Sequence, residues 1–314
     1  MKKQQIAFVS KNKMLKGALH CHTTRSDGEG TPEATIRYHY DHGYDFISLT
    51  DHRIYNYKNF APDVPITIIP GMEFDSRSFK VGGYGGHTFH TVCIGPSRED
   101  GNGFEQDEVV LSAVVSCQEE YQPFLDEIHA KNNLTILCHP EWSCTPPRLF
   151  EKLKGDFAME ICNTGSIKYD DMDMDAPYWD EILGQGIRML GVAADDGHYM
   201  SEHCLGWVMV NAENNVNAIL EALKTGAFYS SCGPEIYNFC VENDTAYIDC
   251  SPVSTIRLHN AGFPTELVRD PDGNLTHAEF KLRAPWTEKY RYVRMTIVDK
   301  NGDHAWTNPI FAEE

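Results

Sequence analysis

The sequence predicts an α/β chain in two parts. Residues 1–235 read as a mainly parallel sheet or (β/α) barrel, and residues 236–314 as a small all-β, sandwich-like domain. Three observations carry this. Short apolar runs alternate with helical patterns over roughly the first 230 residues, the pattern of strands joined by crossover helices. Helical periodicity stops near Pro234. The length of 314 residues gives about two domains at ~150 residues each.

Strand candidates in the first part are 17–22, 46–51, 67–74, 88–95, 135–139, 157–162, 188–194 and 206–210. Thr31-Pro32-Glu33 opens the first helix, with proline in its first turn, and Gly43 closes it. Residues 107–132 carry helical periodicity, with Pro123 starting or kinking the second half. Helices at 146–154, 177–184 and 214–226 complete the set. The last places Val216, Ile219, Leu220 and Leu223 on one face and stops at Gly226. Beyond 235 the strand candidates are 236–242, 247–250, 255–259, 277–283 and 290–298. Asp-Pro-Asp-Gly at 270–273 and Lys-Asn-Gly at 300–302 mark turns.

Composition narrows the function. Hydrophobic residues at 41% and charged residues at 23% describe a globular chain rather than a disordered one. A formal charge of -19 repels a phosphate backbone, which argues against nucleic acid held by bulk charge. A small anionic substrate stays compatible, because bound metal ions reverse the field inside one pocket. The apolar run at 6–9 is too short for a signal-peptide core, and no run approaches the ~18 apolar residues of a membrane span. Ten cysteines form no C-x-x-C pair, which excludes a zinc ribbon. Most lie in apolar runs, so reduced buried thiols and a cytoplasmic location are expected. Oligomeric state leaves no sequence signal.

Chemistry concentrates at strand ends, where a barrel places its site. The first strand ends in His20-Cys21-His22, and alternate residues of a strand face the same way. Asp27 follows in a loop. Later ends carry Asp51-His52, Gly71-Met72-Glu73, His90, Cys138-His139 and Asp195-Asp196-Gly197-His198. A lone strand-end histidine is usually structural. Several strand ends sharing imidazoles and carboxylates would be costly to bury without compensation, and metal ions remove that cost. Mixed imidazole and carboxylate donors suit manganese, iron or zinc.

Five segments in order, GALHCHTTRSDGEGTPE, DFISLTDH, IIPGMEF, ILCHPEW and GVAADDGH, resemble the polymerase-and-histidinol-phosphatase (PHP) superfamily over about residues 15–235. MEICNTG, AILEALKTGAFYSSCGPE and the closing WTNPIF resemble its carbaryl-hydrolase-like subgroup with a C-terminal β domain. The resemblance implies a distorted seven-stranded (β/α) barrel holding two or three divalent ions. Carried over by motif, His20, His22, Glu73 and Asp196 hold one ion. Glu73 bridges to a second that also takes His90 and His139. Asp27, His52 and His198 take a third. His87 competes with His90, which is preferred because HTVCIG matches the family's strand. Glu73, Asp196 and His198 are the residues on which catalysis is expected to depend most.

Other residues are given smaller parts. Asp195 and Asp51 are expected to orient neighbours rather than ligate. Arg25, Arg53 and His203 are candidates for gripping a phosphate or carboxylate, against a reading as solvated surface. His39 and His42 read as structural. Ser231, Cys232 and Gly233 are placed beside the pocket, with Cys232 not a nucleophile. The acidic loop 169–175 reads as solvated. The expected function is hydrolysis of a small phosphorylated metabolite by a metal-bound hydroxide. The runner-up is hydrolysis of a carbamate, ester or amide at the same site, and a third reading is a non-catalytic metal-binding module. The β region is expected to pack on the barrel rather than bind carbohydrate or protein through Trp286, Tyr290, Tyr292 and Trp306.

Overall fold

A computed structural model describes residues 5–9, 14–98, 103–260, 266–282 and 292–311. In chain order the first half holds β1 (Gln5–Val9), β2 (Leu15–Ala18), α1 (Pro32–Asp41), β3 (Phe46–Ile47), β4 (Thr67–Ile68), β5 (Gly71–Asp75), β6 (Phe79–Val81), β7 (Tyr84–His87), β8 (His90–Ile94), α2 (Gln118–Ala130), β9 (Leu134–Leu137) and β10 (Ala158–Asn163). There follow α3 (Thr164–Asp170), α4 (Ala176–Gly184), β11 (Leu190–Ala194), β12 (Trp207–Val210), α5 (Val216–Thr225) and β13 (Phe228–Ser231). The rest is strand: β14 (Ile236–Glu242), β15 (Thr245–Val253), β16 (Thr255–Asn260), β17 (Leu267–Arg269), β18 (Leu275–Lys281), β19 (Tyr292–Val298), β20 (His304–Thr307) and β21 (Ile310–Phe311).

The architecture is mixed α/β and rich in sheet. Five strands pair in the order β11-β10-β9-β8-β5, and a longer ladder runs β17-β16-β19-β20-β13-β12-β2-β3-β4. The ladders do not close into one hydrogen-bonded ring among the described residues; they meet at two seams. At one, Pro70 splits the apolar run 67–75 into β4 and β5, having no N–H to continue a ladder. Backbone bonds from Ile69 N to Ile47 O (2.8 Å) and Glu73 N to Thr50 O (3.0 Å) then carry β5 past β3. At the other, the Ser230 hydroxyl of β13 accepts from Ala193 N (3.0 Å) and donates to Gly191 O (2.8 Å) of β11.

The ladder also crosses residue 235, because β13 pairs antiparallel with β20. The later strands keep an apolar cluster of their own, including Phe239, Ile248, Ile256, Met295 and Ile297. Trp179 on α4 lies under the Arg294 guanidinium of β19, which also pairs with Asp180 at 2.6 Å. Tyr292 and Trp306 pack against the first part's apolar cluster. Trp286 and Tyr290 lie outside the described residues.

Helix ends follow the sequence where capping chemistry is explicit. The Thr31 hydroxyl accepts from Ala34 N at 3.2 Å at the start of α1, and the Asn215 side chain accepts from Ala218 N at 3.0 Å at the start of α5. Gly226 closes α5 with φ 79°, a conformation that favours glycine. Two stretches differ from expectation. Only Gln118–Ala130 of 107–132 is helical. After a turn at Asp107, residues 108–115 are not helical, with Ala113 N bonded to Asp75 O (2.9 Å) and Val109, Leu111 and Val114 exposed. Their valine-rich sequence suits an extended backbone. The expected helix at 146–154 reduces to one 3-10 turn, Pro147–Leu149.

Candidate metal centre

The strand ends converge on one cavity of about 310 Å³. His52, Glu73, His90, His139, Asp196 and His198 line it, with Asp27 at its edge. His20 and His22 lie buried beneath. Each position follows from local structure. His20 and His22 continue β2, Glu73 sits within β5, and His90 begins β8. His139 follows β9, and Asp196 and His198 follow β11. His139 (φ 27°) and Asp196 (φ 53°) turn inward on left-handed backbone, which costs about 1–3 kcal/mol for a residue other than glycine.

Glu73 is central. Its Oε1 stands 2.8 Å from His90 Nδ1 and 3.5 Å from His139 Nε2. Its Oε2 stands 3.5, 3.3 and 2.9 Å from His20 Nε2, His22 Nε2 and His52 Nδ1. Asp196 Oδ1 lies 3.1 and 3.0 Å from the Nε2 atoms of His20 and His22. Asp27 faces His52 (3.4 Å) and His198 (3.5 Å).

The outward ring nitrogens are engaged. His20 Nδ1 bonds Glu160 at 2.7 Å, His139 Nδ1 meets the Ser143 hydroxyl at 3.0 Å, and His198 Nδ1 meets Asp196 O at 2.8 Å. A donor N–H on Nδ1 leaves Nε2 as a lone pair aimed at the carboxylates. Glu73 Oε2, Asp196 Oδ1 and His52 Nδ1 are buried without a hydrogen-bond partner. Carboxylate and imidazole donors crowded onto one another are what divalent cations compensate, so the residues fit such ions. Ligand atoms of His22, Asp27, His52 and His198 lie within 4.8 Å of one another, as do those of His20, His22 and Glu73, and those of His52, Glu73 and His90.

Electrostatics agree. Against the lowering effect of burial, Glu73 and Asp27 push His52 up to about 10. Against the same effect, Glu73, Asp196 and Glu160 push His139 up to about 9. His198 and His52 hold Asp27 far below the usual carboxylate range. The carboxylates draw protons onto the imidazoles, so a cation entering must displace them.

Several other residues singled out in the sequence lie elsewhere. His87 is on β7, with Nδ1 bonded to Cys144 O at 2.6 Å, away from Glu73. Arg25 pairs with Asp107 and Asn56, and Arg53 with Asp75. Neither lines the cavity, so the anion-gripping role expected of them has no geometric support. His203 does not line it either, being buried beside His39 at 5.0 Å between ring centroids. Cys232 faces Cys162, with 3.4 Å between sulfurs, and neither it, Ser231 nor Gly233 borders the cavity. Asp51 binds Thr23 N (2.8 Å) and Ser26 Oγ (3.0 Å), which fixes the loop before Asp27.

The acidic loop is not merely solvated. Asp173 is buried and accepts from Glu141 N at 2.9 Å, which fastens the turn after His139. Burial and Asp173 push the neighbouring Asp175 up to about 10. Sequence reasoning also missed Glu160, whose second oxygen accepts from His139 N and Asn163 Nδ2, both at 2.9 Å. The available signal was a single acid inside the apolar strand AMEICN. Also missed was an aromatic rim of Trp142, Tyr169 and Tyr199, all more than two-fifths exposed.

No family model matches the sequence, and no curated protein does. Solved structures do. A two-domain protein from Bacteroides vulgatus containing a predicted PHP-like metal-dependent phosphoesterase aligns over 98% of both chains at 14% identity, with TM-score 0.50. This chain has a similar fold. An amidohydrolase from Chromobacterium violaceum, solved with sulfate and no metal, covers 58% of this chain and 87% of its own at 18% identity and TM-score 0.39. PsfC from Pseudomonas syringae covers 69% and 88% at 10% identity and TM-score 0.43. Among the described residues no helix is long and apolar enough to cross a membrane.

Proposed function

We propose that this chain is a PHP-type metal-dependent hydrolase acting on phosphate monoesters of small metabolites. The observation that carries the reading is the convergence of five imidazoles on the two oxygens of Glu73, with three buried donor atoms lacking a hydrogen-bond partner. The likeness in fold to a two-domain protein containing a predicted PHP-like phosphoesterase supports it. So does the order of strand ends, and we read residues 1–235 as the metal-holding part on a distorted seven-stranded barrel plan.

His20, His22, Glu73 and Asp196 would hold one ion, Glu73, His90 and His139 a second, and Asp27, His52 and His198 a third, from manganese, iron or zinc. Clustered divalent ions lower the pKa of a coordinated water and polarise the oxygen under attack. The protein's own residues do the rest. Glu73 presents one oxygen to each neighbouring group of imidazoles. Glu160 fixes the His20 tautomer, and the left-handed turn at Asp196 points its carboxylate inward.

A second reading, hydrolysis of a carbamate, ester or amide, has its own support: among the described residues no lysine or arginine lines the cavity. A phosphate there would depend on metal ions alone for its charge. The test is a protein stripped by chelation, reloaded with manganese, iron(II) or zinc, and assayed on p-nitrophenyl phosphate, acetate and a carbamate. Metal-restored turnover of the phosphate alone supports the first reading, and turnover of the acyl compounds alone the second. No turnover of any in protein loaded with two or three ions would leave a metal-binding module.

A further inference from the structure

Behind the cavity lies a second cluster that the proposed hydrolysis does not use. His39 on α1, Asp195 at the end of β11 and His203 in the loop beyond are 0%, 1% and 2% exposed. One donor atom from each lies within 4.8 Å of the other two. None lines the cavity. We propose that these residues form a separate, closed site for a divalent metal ion, structural rather than catalytic.

The argument rests on proton accounting. His39 Nδ1 donates to Thr35 O at 2.8 Å, which fixes the proton there and makes Nε2 a bare lone pair. That Nε2 is buried and has no partner. Both ring nitrogens of His203 are also buried and unpartnered, and a neutral imidazole always offers one lone pair. Asp195 Oδ1 accepts from Thr164, Leu205 and Gly206, whereas Oδ2 accepts only from Cys204 N at 2.6 Å and keeps capacity.

Three acceptors thus gather in one buried place. A divalent cation accepts all three lone pairs at once. Buried polar atoms without partners are rare enough to require an ion or water. Burial keeps His39 neutral, pushing it down to about 3, the form in which imidazole binds metal. Two imidazoles and a carboxylate suit zinc and its first-row neighbours, and burial away from the cavity leaves such an ion no substrate to act on.

The position gives such an ion a role. The His203 ring lies against Gly197, where a Cβ would come within 2.3 Å of Nδ1. Gly197 stands between Asp196 and His198. An ion here would pin α1 to the turn that carries both cavity residues.

Crystals of the full chain soaked in zinc or manganese, with anomalous-difference maps at the metal edge, separate this site from the cavity. The expected result is a peak about 2.0–2.2 Å from His39 Nε2 and from one oxygen of Asp195, distinct from any at Glu73. Elemental analysis should show His39→Leu holding about one ion fewer than the parent. A cavity variant, His22→Ala with Glu73→Gln, should retain that ion. Cavity peaks with only water or empty density at His39 would overturn the proposal and leave the hydrolase reading standing. A peak at His39 with none in the cavity would do the reverse. The map is made on the unaltered protein, so its outcome does not depend on how any variant folds.

Discussion

Replacing Glu160 by glutamine should damage metal binding more than its distance from the cavity suggests. The two carboxylate oxygens serve donors on both sides: Oε1 faces His20 Nδ1 at 2.7 Å, and Oε2 faces His139 N and Asn163 Nδ2 at 2.9 Å. A glutamine amide has one accepting end and one donating end. If its oxygen keeps His20, its NH2 opposes two N–H groups. If it turns to keep those two, its NH2 faces His20 Nδ1 and forces the imidazole proton onto Nε2. That is the nitrogen aimed at Glu73 and Asp196, and a protonated nitrogen cannot ligate. Loss of a carboxylate orienting a ligating histidine costs about 10–100-fold in metal affinity, or about 1.4–2.7 kcal/mol. Competition with a chromophoric chelator measures this directly on parent, Glu160→Gln and Glu160→Ala. Glutamine should be at least as harmful as alanine, which admits water and imposes no wrong donor. Parent-like affinity in Glu160→Gln would show that the His20 tautomer is not set here.

Three further outcomes are expected. His198→Ala should lose about one ion and roughly 10²–10³-fold in turnover, the scale of one lost electrostatic stabiliser, while His87→Ala, on β7 and bonded to Cys144 O, should lose neither by elemental analysis and steady-state assay. Burial pushes Asp156 up to about 7, above its unfolded value of about 3.9, so the folded state holds that proton more tightly and stability falls as pH rises from about 4 to 7, by up to about 4 kcal/mol. Asp156→Asn should flatten that dependence in urea unfolding at pH 5 and 8, and an unchanged slope refutes it. Asn308→Ala should cost about 1–3 kcal/mol for each of the two buried backbone groups it strands, Gly191 N and Phe228 O, read as a lowered Tm.

The candidate site was legible because strand ends advertise it. H-x-H, D-H, G-M-E and D-D-G-H each follow an apolar run, and period-two alternation sends their side chains one way. His90 over His87 is readable too, since His90 opens the apolar strand HTVCI. What failed depended on partners distant in sequence. Arg25 and Arg53 look free until Asp107 and Asp75 arrive beside them. Asp173 looks solvated until the turn at Glu141 and Trp142 offers two N–H groups. The helix expected over 107–117 failed for a related reason: its backbone bonds distant segments, Val110 N to Arg53 O and Ala113 N to Asp75 O, both at 2.9 Å, while Val109, Leu111 and Val114 face outward and Ala113 and Val115 inward.

The boundary near 235 shows how a compositional change can be real without marking a mechanical break. Helical periodicity does end there, and the later strands bury their own apolar cluster. Yet β11, whose end carries Asp195 through His198, is gripped from beyond its own sheet. Ser230 of β13 bonds both Gly191 O and Ala193 N, and Asn308 reaches Gly191 N at 3.0 Å. β13 is in turn paired along its length with β20. A strand that ends in a strained carboxylate needs its register held, because a slip of one residue would send Asp196 to the opposite face. The β region contributes to that hold directly through Asn308 and indirectly through β20, which backs the strand that carries Ser230. Its contribution to the site is therefore mechanical, carried by an asparagine that bonds β11 and a strand that backs β13, both ordinary in sequence until the seam is seen.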